Sequence, residues 1–147
     1  CAEVDSSQLF SIGFCFGGLA VLDLARSGAA ESLRTTFSVH GILDSPDLSP
    51  QFGGSQGPVT GQVVVMHGED DPFISQQQLD AFESNMRERA ADLKITKFPG
   101  TLHAFTRPEK TLETDSTAGL QYNEAAASHT WDVLRHTLAT VSGFPPK

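Results

Sequence analysis

Apolar positions along the chain fall into two rhythms that alternate. Residues 8–13 (QLFSIG) form a short apolar run ending in glycine, and from Leu19 the spacing turns helical through Leu22 and Leu24 before stopping at Ser27 and Gly28. This predicts a strand, a tight turn and a helix. Residues 35–43 (TTFSVHGIL) are rich in β-branched and apolar side chains and run into the turn signal Asp44-Ser45-Pro46, which predicts a second strand. Residues 45–61 hold three prolines and four glycines with little periodicity and read as a loop. Residues 62–67 (QVVVMH) are continuously apolar, as a strand covered on both faces of a parallel sheet must be. After Gly68 and the acidic turn that follows it, Ser75 caps a helix with Gln78 three residues on, and Leu79, Phe82 and Met86 mark its buried stripe. Residues 93–98 (LKITKF) alternate apolar and polar, as a strand near a sheet edge would. Residues 99–119 are irregular, and residues 123–141 form a long final helix. Four strands alternating with three helices predict a single α/β domain over 1–147, a parallel sheet with flanking helices and right-handed crossovers.

Composition narrows the function classes. The 147 residues are 39% apolar and 19% charged, enough to bury one core. Ten basic against eighteen acidic residues leave a net charge of -8 with no basic run, which repels phosphate backbones and anionic bilayers, so nucleic acid and membrane are not expected partners. Two cysteines, Cys1 and Cys15, imply no disulfide framework and point to a reducing, cytoplasmic setting. The apolar stretches are too short to span a bilayer, and the first residues lack the regions of a signal peptide.

In open parallel sheets, chemistry collects at the carboxyl ends of the strands. Cys15 follows the first predicted strand, Asp71 the third and His103 the fourth, in the chain order nucleophile, acid, histidine. Gly13-Phe14-Cys15-Phe16-Gly17 has the spacing of a nucleophile elbow, whose glycines let strand and helix approach closely. An elbow presents the thiol to solvent at a helix N-terminus, where the dipole favours a thiolate and the Phe16 amide faces a developing oxyanion. Glycine-rich strand-to-helix turns also bind phosphates, although here Cys15 occupies the second glycine of the dinucleotide fingerprint. Taken singly, Asp71 reads as a turn former beside Pro72, Asp70 is equally acidic, and His103 reads as a satisfied loop histidine. Three suitable residue types, each just past a strand, outweigh those separate readings. His40 and His67 end strands, and His129 and His136 lie on the last helix; these four are weaker candidates.

GFCFGG, HGEDDPF, HAFTR and the final YNEAAASHTWDVL together resemble the dienelactone hydrolase family of the α/β-hydrolase fold, over about residues 8–138. The resemblance implies a Cys-His-Asp triad of Cys15, His103 and Asp71, with Asp71 preferred to Asp70 because it stands three residues after Gly68 and directly before Pro72. It also implies that Arg107, four positions beyond His103, holds a substrate carboxylate. The expected activity is hydrolysis of small carboxylate-bearing lactones or esters through an acyl-thioester, without a cofactor. Family members are longer, and their first half supplies initial strands and a second oxyanion amide that cannot be placed here. The elbow strand is therefore expected to leave an edge open for a homo-oligomeric partner or an N-terminal portion. A non-catalytic remnant that pairs through this edge is the alternative. A metal site of Cys15, Asp71 and His103 has the ligand types without the close paired spacing of metal motifs.

Overall fold

The computed structural model describes residues 5–28, 31–44, 57–59 and 61–142. In chain order the elements are β1 (Leu9–Phe14), α1 (Phe16–Ser27), β2 (Leu33–Val39), β3 (Gln62–Gly68), α2 (Gln76–Glu88), β4 (Asp92–Phe98), a short 3-10 turn (Ser116–Ala118) and α3 (Glu124–Ser142). The four strands make one parallel sheet in the order β1-β2-β3-β4. Most of the predicted 45–61 loop lies outside the described residues.

Side-chain alternation on the strands builds two cores. Val63 and Val65 of β3 point to one face, where Leu22 and Ala25 of α1 and Leu79, Phe82 and Met86 of α2 meet them. Val64 and Met66 point to the other, against Phe37, Val39 and Phe105, with Ala126 and Leu134 of α3 over them. The continuous apolar run of β3 thus serves both faces, each buried Val or Met side chain contributing about 1.5–3 kcal/mol. The half-exposed pattern of β4 fits its place at one edge of the sheet.

Helix ends follow local chemistry. The Ser75 side chain accepts from the Gln78 amide, and the Gln78 side chain accepts from the Ser75 amide, a capping box that starts α2. Gly28 ends α1 in the left-handed region. Two buried arginines fasten the chain beyond β2. Arg26 of α1, stacked over Phe82, donates to the carbonyl of Leu43, and Arg89 donates to the carbonyl of Gly57.

One boundary differs from the sequence expectation in a way that shapes the site. β2 starts at Leu33 and stops at Val39, four residues short of the predicted end at Leu43, because His40 turns to φ 38° and leaves the strand direction. Its amide still donates to the Met66 carbonyl at 2.8 Å. The next residue, Gly41, then packs against Gly18 at the start of α1. A Cβ on Gly18 would lie 2.6 Å from the Gly41 Cα and 2.7 Å from Ser38 Oγ.

That contact fixes how closely α1 approaches β2. Gly18→Ala is expected to lower unfolding stability by about 1–3 kcal/mol through overpacking, read by urea denaturation; unchanged stability would contradict the close packing.

Candidate active site

Cys15 sits between β1 and α1 with φ 55° and ψ -122°, a positive-φ conformation that a residue with a Cβ adopts only under strain. Three backbone bonds hold it there: its amide donates to the Val39 carbonyl at 3.2 Å, and its carbonyl accepts from Gly18 at 2.9 Å and Ile42 at 3.4 Å. Glycine at position 13 is required, because a Cβ there would lie 1.9 Å from the Gly17 carbonyl oxygen. The thiol is exposed and outside any disulfide. Phe16 opens α1, so its amide stands outside the helix's own hydrogen-bond ladder, next to the sulfur.

His103 arrives on the loop after β4, held on both sides of its backbone. Its amide donates to the Gly119 carbonyl at 3.1 Å, and its carbonyl accepts from the Gln121 amide at 3.0 Å. Asn123 ties the same loop to its neighbours, donating from Nδ2 to Thr101 Oγ1 at 2.9 Å while Oδ1 accepts from the Ala126 amide at the start of α3. Asp71 follows β3. Its Oδ1 accepts from the Phe73 amide at 2.9 Å, and its Oδ2 meets His103 Nδ1 at 2.7 Å, with both side chains buried. Asp70, the equally acidic neighbour, is exposed, and its amide donates to the Thr101 carbonyl.

The electrostatics of His103 follow from this geometry. Burial alone would lower its pKa, but the hydrogen bonds it makes to Asp71 and then to Cys15, together with their charge, outweigh it and hold the imidazole above its ordinary 6.5. The structure therefore brings Cys15, His103 and Asp71 to one rim of the sheet. Arg107 is on that rim but half exposed, paired through Nη2 and Nε with Glu109 at 2.6 and 2.7 Å. Among the described residues no group of three or more His, Cys, Asp or Glu could hold a metal ion. No helix among them is long and apolar enough to cross a membrane.

One residue at the site carries a weak sequence signal. His40, read as a histidine ending a strand, lies 5.0 Å from the His103 ring, edge to face, and hydrogen-bonds through Nε2 to Thr106 Oγ1 at 2.9 Å. The signal was its position: it ends a parallel strand at the same rim as the other three.

Comparison with known proteins adds the context. A sequence model of the dienelactone hydrolase family matches residues 1–142. An uncharacterized protein of Caenorhabditis elegans is 32% identical over 128 residues, covering 87% of this chain and 77% of its own length. A probable 2-oxo-3-(5-oxofuran-2-ylidene)propanoate lactonase of a Bradyrhizobium species is 28% identical over 110 residues, covering 71% of this chain and 42% of the lactonase. The solved structure of m3DLH superposes with a TM-score of 0.80 at 34% identity over 95% of this chain and 54% of that one. The chain thus spans about half the length of that solved relative.

Burial of His40 has a consequence for acid stability. Desolvation, helped by the neighbouring His103, pushes its pKa down to about 4 from 6.5. A folded value below the unfolded one means that the contribution of the neutral ring is whole above pH 6.5 and is lost as pH falls through about 4. The loss is about 3 kcal/mol for a displacement of this size. Urea unfolding at pH 7 and pH 4 is expected to show a smaller acid loss for His40→Phe than for the parent protein; equal losses would contradict a buried neutral ring.

Proposed function

The chain belongs to the dienelactone hydrolase family, and from that premise we propose that Cys15, His103 and Asp71 form a catalytic triad that opens small lactones or esters through an acyl-thioester. The observation that carries this reading is the buried 2.7 Å bond between His103 Nδ1 and Asp71 Oδ2, at the rim where the strained backbone of Cys15 exposes its sulfur.

Asp71 occupies Nδ1, which leaves Nε2 for proton traffic. Cys15 gives its proton to Nε2 and its sulfur attacks the carbonyl carbon; the resulting oxyanion faces the Phe16 amide. Collapse breaks the C–O bond, and the leaving alkoxide takes the proton from His103. In a lactone that alcohol stays tethered to the acyl group. A water then surrenders a proton to Nε2 and attacks the thioester, and the expelled thiolate recovers that proton. The raised pKa of His103 suits a group that must accept a proton in both half-reactions.

Arg107 is the proposed anchor for a substrate carboxylate. Its Glu109 pair is half exposed on both sides, so it contributes little stability and an incoming carboxylate can compete for the guanidinium.

β1 pairs only with β2 among the described residues, and Leu9, Ile12 and Phe16 are exposed around it. Beside it, Phe10, Ile12, Leu134 and Leu138 line an apolar cleft of about 70 Å³. An open edge with apolar neighbours supports function within a larger assembly, a second copy or a further portion of chain completing the sheet. Static light scattering is expected to report association of this chain when purified alone; a monodisperse monomer would contradict it.

The reading is tested by alkylation. Iodoacetamide at near-neutral pH, with the two cysteine peptides quantified by mass spectrometry, is expected to label Cys15 well before Cys1. His103→Ala should remove the preference and, with an activated ester as substrate, lower turnover by about 10²–10⁴. Equal labelling of the two cysteines would favour a non-catalytic assembly domain.

A further inference from the structure

We propose that His40 is a positioning residue for His103, a buried ring that fixes the plane of the imidazole and so directs its Nε2 at Cys15. The inference rests on the triad reading above and extends it to the residue just past the end of β2.

Two hydrogen bonds orient the His103 ring, one at Nδ1 to Asp71 Oδ2 at 2.7 Å and one to Cys15. The second reaches an exposed thiol, so a small tilt of the imidazole breaks it. Something must stand against the ring. Two side chains do so edge to face: Phe73 at 5.1 Å with an interplanar angle of 76°, and His40 at 5.0 Å with 63°. Phe73 is 51% exposed, whereas His40 is 1% exposed and packed on all sides. The fixed wall is therefore His40.

Its surroundings tie the two halves of the site together. Phe14, the residue before Cys15, packs on the His40 ring at 5.8 Å, and Phe105, two residues past His103, packs on it at 5.2 Å. Nε2 bonds Thr106 on the same loop as His103 at 2.9 Å. One ring thereby touches the elbow strand and the histidine loop at once.

Two local costs mark the position as more than filling. His40 holds φ 38°, strained for a residue with a Cβ, and its Nδ1 is buried without a hydrogen-bond partner. The titratable and charged groups acting on it are His103, Asp71 and Arg107. His103 and Arg107 oppose a charge on His40, Asp71 favours one, and burial outweighs all three and keeps the ring neutral. A second positive charge thus does not form beside His103 when it takes up a proton.

Two readouts on His40→Ala and His40→Phe test this in the full chain: the iodoacetamide rate of Cys15 relative to Cys1 at pH 6.5, and the NMR titration of the His103 ring. Without the wall, the bonds to Asp71 and Cys15 that raise the His103 pKa loosen. His40→Ala is expected to slow Cys15 labelling by about tenfold and to bring the His103 titration down toward 6.5, its ordinary value. His40→Phe keeps an edge against the imidazole and is expected to restore both to near the parent values. Should His40→Ala fail to fold, His40→Leu, which refills the volume with neither ring nor hydrogen bond, carries the same expectation. A folded His40→Ala or His40→Leu protein with parental labelling and titration overturns the proposal. If His103→Ala slows labelling while the His40 variants do not, this inference alone falls; if His103→Ala leaves labelling unchanged, the triad reading falls and this inference with it.

Discussion

The hydrogen bond between His103 and Asp71 is the constraint around which the site is arranged. It joins two loops that the sequence separates by 32 positions, and both partners are withdrawn from water to make it. A buried carboxylate is tolerated only where its oxygens are satisfied, and here one oxygen takes the imidazole and the other the Phe73 amide. The loops must therefore be held independently of the bond they support. Asp70 does this on one side through its amide to Thr101, and the backbone bonds of His103 to Gly119 and Gln121 do it on the other. Asn123 then locks that second loop to the first turn of α3. Breaking the pair by removing one partner would leave an uncompensated polar group inside the protein, which is the costly case.

The sheet supplies the remaining geometry. Because all four strands run parallel, their carboxyl ends share one rim, and the loops leaving β1, β3 and β4 carry Cys15, Asp71 and His103 to the same place. The elbow is strained, and the strain is held by β2: Val39 accepts the Cys15 amide, Ile42 donates to the Cys15 carbonyl, and Gly41 gives Gly18 room to approach. β2 ends where it does so that its next residues can do this work. Its last turn is as much part of the site as the cysteine.

Much of this was legible in the sequence, and what was not has physical causes. The uninterrupted VVVM of β3 required cover on both faces, and the structure has α1 and α2 on one side and α3 on the other. Ser75 and Gln78 announced their helix because a capping box is a local interaction. Glycines around Cys15 announced a tight turn for the same reason. The end of β2 was misplaced because TTFSVHGIL is apolar throughout, and nothing local says that His40 will take a left-handed backbone; that choice is made by contacts with Phe14, His103 and Phe105 from other elements. The choice of Asp71 over Asp70 came from a family spacing and not from the residues themselves, since burial and the bond to His103 distinguish the two only after folding. Arg107 could be picked out by its distance from His103, while its engagement with Glu109 depends on side-chain directions that spacing does not encode.

Direct observation of an acyl group on sulfur tests the central claim most sharply. Brief exposure to p-nitrophenyl acetate, an acid quench and peptide mass spectrometry should find an acetyl adduct on the peptide carrying Cys15, removable by hydroxylamine and absent from His103→Ala protein. Acetylation confined to lysines or to Cys1, with Cys15 unmodified while the ester is consumed, would contradict the account.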